Sequence, residues 1–135
     1  MAWKCGPVLA PVVVDRAAGP DTVITLDVEP EEPVFRGHYP GFPIFPGVCI
    51  VDFVERGALE AHPEPERHWR VSGVDKVRFS DPVRPGDRLT AQLKWQAGNG
   101  SWRCAATVAT DRGPAARLTL VFTRRAAHGT KGDAA

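Results

Sequence analysis

The sequence predicts an α+β fold in which a curved antiparallel sheet wraps round one long helix. Three observations predict it. A single segment, Gly47 to Ala61, keeps an apolar pattern over helical length. Most of the remaining chain falls into segments of alternating polarity, and Gly98-Asn99-Gly100 joins two of them as a hairpin. Finally, 135 residues, 43% hydrophobic and 24% charged, suit one domain with one core, and no internal repeat divides them. The expected organisation is a single domain over residues 1–125 and a small, polar, disordered tail over 126–135.

Val8 to Asp15, with Val12-Val13-Val14, reads as a short strand, and Ala17-Ala18-Gly19-Pro20 as a turn. Asp21 to Glu29 alternates Ile24, Leu26 and Val28 against polar neighbours, the pattern of a half-buried strand. The strands after the helix are Trp69 to Ser80, Asp87 to Ala97, Ser101 to Thr110 and Ala116 to Arg124. Asp81 to Asp87 and Asp111-Arg112-Gly113-Pro114 are turn-rich connections between them.

Between the second strand and the helix lies a loop with three prolines, Pro40, Pro43 and Pro46, and three glycines, Gly37, Gly41 and Gly47. The prolines fix φ and extend the residues before them; the glycines allow tight turning or close approach of a ligand. Its aromatics, Phe35, Tyr39, Phe42 and Phe45, need a surface to pack on, so the loop should be ordered. The helix that follows, with Pro46 at its start, is apolar on nearly all sides and should be enclosed, entering the core at its N-terminal end and leaving it at the other. A second copy of the sheet would cover its far side.

A formal charge of +1 gives no electrostatic reason to expect nucleic acid or an anionic membrane as partner. No apolar run approaches the roughly 18 residues that span a bilayer. Met1 to Pro11 lacks an apolar region followed by a cleavage site, and the three cysteines, Cys5, Cys49 and Cys104, form neither a disulfide framework nor a zinc spacing. The expectation is a cytoplasmic protein with no metal and no cofactor. His62, His68 and His128 show no ligand spacing.

One histidine, His38, sits on the stiff loop, and one acid, Asp52, sits in the apolar helix fourteen positions on. Alone, a loop histidine is more often structural, and a helical Asp is more often a salt-bridge member. Together they read as a base and an acid placed for chemistry. Gly37-His38-Tyr39-Pro40-Gly41-Phe42-Pro43-Ile44-Phe45-Pro46-Gly47-Val48, followed by Asp52, resembles the signature of the β-hydroxyacyl-(acyl carrier protein) dehydratases, enzymes of the hotdog fold. Lys76 to Asp87 is similar to that family's second recurrent stretch, and the likeness covers about residues 8 to 124.

The resemblance implies that His38 and Asp52 are catalytic, His38 of one subunit meeting Asp52 of its partner in a homodimer or larger even-numbered oligomer, or in a heterodimer with a related subunit. It implies an acyl carrier protein as partner, and helix-start amides around Gly47 and Val48 that hold the thioester carbonyl. The acyl chain would pass Tyr39, Phe42, Ile44 and Phe45. The chemistry suits these groups. Imidazole is a base of near-neutral pKa for the α-proton. Amides at a helix N-terminus stabilise enolate character on the thioester oxygen. An acid protonates the departing hydroxide.

Three departures stand out: Tyr39 for the usual Phe, Cys49 for a common Leu, and Arg56 for a Gln that helps orient the acid. Arg56 stands one turn after Asp52, an i,i+4 pair that favours the charged acid, while burial favours the neutral one. Arg56 therefore joins the candidate site and inclines the reading to a specialised polyketide or polyene pathway rather than housekeeping fatty acid synthesis. The alternatives are an acyl thioester hydrolase on the same fold and a non-catalytic subunit of a heterodimer. Arg78, Arg84, Arg88, Lys94 and Arg103 read as solvated strand faces, with a landing patch for an acidic carrier as the second reading.

Overall fold

The computed structural model describes residues 10–15, 22–30, 45–64 and 68–124. His38, Tyr39, Phe42 and Ile44 lie outside the described residues, as does the 126–135 tail. Six strands and one helix follow in the order β1 (Val13–Asp15), β2 (Thr22–Asp27), α1 (Gly47–Ala61), β3 (Trp69–Phe79), β4 (Arg88–Ala97), β5 (Ser101–Thr110) and β6 (Gly113–Arg124). The strands form one antiparallel sheet ordered β1-β2-β4-β5-β6-β3. The helix lies in the chain between β2 and β3, strands near opposite edges, and packs against β1, β2, β3 and β6. This is the expected sheet wrapped round one helix.

Strand alternation decides which face is core. Ile24 and Leu26 on β2, Leu89, Ala91 and Leu93 on β4, Cys104, Ala106 and Val108 on β5, and Leu118, Leu120 and Phe122 on β6 are all buried. They meet Ile50, Phe53, Val54 and Ala58 of α1. Cys49 and Cys104 are both buried in this core and behave as small apolar groups; burial pushes the Cys104 thiol up to about 12.

One expectation for the helix is corrected. Its burial does not fade along its length. Gly57, Ala58 and Ala61 are buried near its end, as is His62, while Val48 at its start is exposed. The spacing of Ile50, Phe53, Val54, Gly57, Ala58 and Ala61 keeps one face inward through every turn. The other face carries Val48, Asp52, Glu55, Arg56 and Leu59, which the chain's own sheet leaves partly or fully exposed. Helix and sheet approach tightly at Gly57, where a Cβ would overlap Ile24 Cδ1 and come within 3.1 Å of Val12 Cγ1.

Beyond the helix the chain is pinned by an aromatic cluster. The His62 ring stacks on Trp69 with centroids 4.5 Å apart and meets Trp95, Trp102 and Phe122 at steeper angles. Glu64 ties the cluster together. Its amide donates to His62 Nδ1 (3.0 Å), its carbonyl accepts from Trp69 Nε1 (3.0 Å), and its Oε1 accepts from Trp102 Nε1 (3.2 Å). Aromatic pairs of this kind each contribute about 0.5–1.5 kcal/mol beyond the area they bury.

β6 begins at Gly113, three residues before the expected Ala116, and includes Pro114. A strand proline is tolerated where its missing N–H faces no partner. Here the ladder to β3 ends at the Phe79–Ala116 pair, so Pro114 is flanked on one side only, by Ala109 of β5, where the register shifts.

Three aspartates on the sheet margin couple the fold to pH. Hydrogen bonds from Arg88, Arg103 and Arg112 hold the carboxyls of Asp27, Asp75 and Asp87, respectively, below their ordinary value of 3.8. A carboxyl lowered in the folded state contributes stability that is fully present above its unfolded value and is lost as pH falls through its folded value. The urea midpoint should therefore be flat near neutral pH and decline below about pH 4. Arg112→Gln should flatten the acid limb relative to wild type; an unchanged limb would contradict the assignment.

Candidate active site

The start of α1 has no side-chain cap among the described residues. Pro46 occupies the position before the helix and offers no side-chain cap, and the first turn carries no acid. The amides of Cys49 and Ile50 donate to the Pro46 carbonyl at 2.9 and 3.3 Å. Those of Gly47 and Val48 therefore precede the intrahelical ladder, where helix amides carry partial positive charge.

A groove of about 410 Å³ lies beside this terminus, lined by Phe45, Gly47, Ile50, Phe79, Pro82 and Val83 among others. The Phe79 ring lies against Gly47: a Cβ there would stand 2.8 Å from Phe79 Cζ, and the half-exposed ring would have to swing away from the helix start to admit it. Phe45 is 1% exposed and its amide donates to the Val83 carbonyl at 2.7 Å, so it is a core residue whose edge meets the groove. Val48 points to the outer helix face and does not line the groove.

The segment 81–87, whose first three residues line the groove, is held by a residue the sequence did not single out. Arg112 forks onto Asp87, Nη1 to Oδ1 at 2.9 Å and Nη2 to Oδ2 at 2.8 Å. It also reaches the Pro82 carbonyl at 2.9 Å and Asp81 at 3.4 Å. Asp87 in turn accepts from the Arg84 amide at 2.8 Å. The only hint in the sequence is the pair of aspartates bounding a turn-rich segment; the arginine that answers them lies 25 residues on from Asp87, in another hairpin.

Asp52 lies in the second turn of α1, on the face its own sheet leaves uncovered, with its side chain 24% exposed. Arg56 lies one turn on. Its Nη1 stands 3.8 Å from Asp52 Oδ2, within ion-pair range and beyond hydrogen-bond range, while its Nη2 donates to the Ala10 carbonyl at 3.0 Å. The guanidinium is thus fixed chiefly to the N-terminal segment. A partly exposed i,i+4 pair of this length contributes no more than about 0.3–0.5 kcal/mol. Among the basic strand residues, Arg88 pairs with Asp27 and Arg103 with Asp75. Arg78, Arg84 and Lys94 are exposed. The described residues contain no group of three or more His, Cys, Asp or Glu placed to hold a metal ion, and no helix among them is long and apolar enough to cross a membrane.

Residues 15–117 match the ApeI-like family, described as ApeI dehydratase. The 3-hydroxyacyl-(acyl-carrier-protein) dehydratase FabZ of Chloroflexus aggregans is 37% identical over 118 residues, 82% of each chain. The enzyme of the same name from Symbiobacterium thermophilum is 40% identical over 89 residues, and that match spans 63% of each chain, less than two thirds of the relative's length. Among solved structures, the dehydratase heterocomplex ApeI:P from Xenorhabdus doucetiae superposes with a TM-score of 0.66 at 25% identity, covering 83% of this chain and 95% of that one.

Proposed function

The chain belongs to the ApeI-like dehydratase family of hotdog-fold proteins, and from that premise we propose that it removes water from a 3-hydroxyacyl thioester carried on acyl carrier protein, giving the 2-enoyl thioester. The observation that carries the reading is the N-terminus of α1, uncapped among the described residues, beside a largely apolar groove, with Asp52 one turn further along the same helix. In this reading the amides at Gly47 and Val48 hold the thioester carbonyl and stabilise the negative charge that grows on its oxygen. His38 takes the α-proton and Asp52 gives a proton to the departing hydroxyl, so that one water leaves and no redox step occurs.

The two groups come from different subunits. Asp52 lies on the helix face bracketed by Val48 and Leu59, which are 44% and 37% exposed, and a second subunit laid there would bring its own loop histidine to the acid. That subunit is a second copy or a related chain; the relative from Xenorhabdus doucetiae is described as a heterocomplex. Arg56 at the position of the family's usual Gln favours a specialised polyketide or polyene substrate over housekeeping fatty acid synthesis.

Mass analysis of products separates this reading from thioester hydrolysis. Incubation with a 3-hydroxyacyl carrier protein should leave an acyl group lighter by one water and still attached to its carrier. Release of the free 3-hydroxy acid would favour the hydrolase instead, and a substrate left untouched both by this chain alone and by this chain with a related subunit would oppose both.

A further inference from the structure

The outer face of the sheet carries an arrangement that neither the fold nor the reaction explains. On β3 and β6, Asp75 stands opposite Thr119 and Arg78 opposite Arg117, so two residues of β3 span one of β6. This is a β-bulge, and Lys76 within it has φ 54, the one non-glycine residue in the left-handed region among those described. Such a conformation costs about 1–2 kcal/mol for a residue with a Cβ. Its effect is specific. Simple alternation from Asp75 would send Arg78 to the other face; the bulge turns it outward, directly across from Arg117.

Like charges opposed on neighbouring strands repel, yet among the described residues neither arginine nor Lys76 has a carboxylate within ion-pair distance. The nearby acid, Asp75, is already engaged by Arg103 at 2.9 Å. The three cations rim a depression of about 650 Å³ floored by Ala105, Thr107 and Thr119. Small and hydroxyl side chains leave room there for a compact anion.

We propose that Lys76, Arg78 and Arg117 form a phosphate site, which receives the phosphate of the pantetheine arm that carries the thioester. Guanidinium forks pair two N–H donors with two phosphate oxygens, and the threonine hydroxyls can supply further donors. A bound phosphate removes the repulsion between Arg78 and Arg117. Arg78 faces outward and the next residue, Phe79, lies inward against Gly47, so the site lies across the edge strand β3 from the groove at the helix start, and the arm would pass round that edge to reach it. The identity of the ligand rests on the thioester reading above; the anion site itself rests on the bulge, the opposed arginines and the depression.

Calorimetry on the full chain tests it with pantetheine, phosphopantetheine, coenzyme A, and a carrier protein with and without its phosphopantetheine arm. Wild type should bind phosphopantetheine at least about tenfold more tightly than pantetheine. Arg78→Ala/Arg117→Ala, both exposed positions, should abolish that preference, while Arg84→Ala/Lys94→Ala, an equal charge loss at two exposed positions elsewhere, should keep it. Whichever of coenzyme A and the armed carrier loses more affinity in the double variant is the source of the phosphate. The double variant should keep its kcat on a phosphate-free pantetheine thioester and raise KM only for phosphate-bearing substrates. Equal binding of phosphopantetheine and pantetheine by wild type would overturn the site, and so would equal binding of armed and unarmed carrier, which would mark an acidic protein surface as the ligand. Phosphate discrimination without any water loss would retain the site and sink the dehydratase reading. Water loss without discrimination would do the reverse.

Discussion

Asp52→Asn should lower turnover of a 3-hydroxyacyl thioester by about 10²–10⁴-fold, the usual contribution of a positioned acid, with little change in stability. The side chain lies on the uncovered helix face, outside the buried stripe of Ile50, Phe53, Val54 and Gly57, so the core does not depend on it. Its contact with Arg56 is long and partly exposed, and Arg56 keeps its hydrogen bond to the Ala10 carbonyl when the acid is neutralised. Asparagine preserves the shape and removes the proton that the departing hydroxyl needs. A variant with wild-type kcat would remove Asp52 from the mechanism. A fallen urea midpoint would instead contradict the placement of Asp52 outside the buried stripe.

The largest stability effect is expected at Gly57. Gly57→Val should lower stability by about 1–3 kcal/mol, at the upper end of that range. The added Cβ would overlap Ile24 Cδ1, and Val12 stands close on the other side. Ile24 is fully buried on β2 and its end can turn only by displacing other core side chains. A branched methyl pair deepens the clash. Gly73→Ala is the matched control, because the nearest atom to its added Cβ is Val121 Cβ at 3.9 Å, an ordinary contact. The control should shift the urea midpoint little. Equal loss at both positions would mean that the helix does not approach the sheet as described.

Much of this fold was legible because local rules suffice for it. Pro46 before an apolar run, and His62-Pro63 after it, bound the helix at Gly47–Ala61, and the structure places it there. Alternation located β2 to β5 within a residue or two. The sequence places the start of β6 three residues late because Pro114 signals a turn, and only the lateral extent of β3 shows that the proline opposes β5 alone. The burial of the helix's second half was also missed: its polar residues share one face, and their number concealed the apolar stripe behind them.

For the candidate site, one contiguous motif names Asp52, Gly47 and Phe45 as candidates. It does not name the residues that shape their surroundings. Arg112 answers Asp81 and Asp87 from another hairpin, and Phe79 meets Gly47 from the far edge strand. The Glu64 staple joins residues from three elements. Contacts of this range depend on strand order, which single-sequence periodicity does not carry. The opposed pair Arg78 and Arg117 depends on a bulge, which shifts facing by one residue and is equally silent in the sequence.

The most direct test of a site shared between subunits is complementation. His38→Ala and Asp52→Asn, each inactive alone, are co-expressed with different tags and the doubly tagged and singly tagged species assayed together for water loss from a 3-hydroxyacyl carrier protein. If the loop histidine of one copy serves the helix acid of another, random pairing places one intact site in each mixed dimer and restores about a quarter of wild-type activity. If both groups serve one site within a single chain, the mixture stays as inactive as its parents.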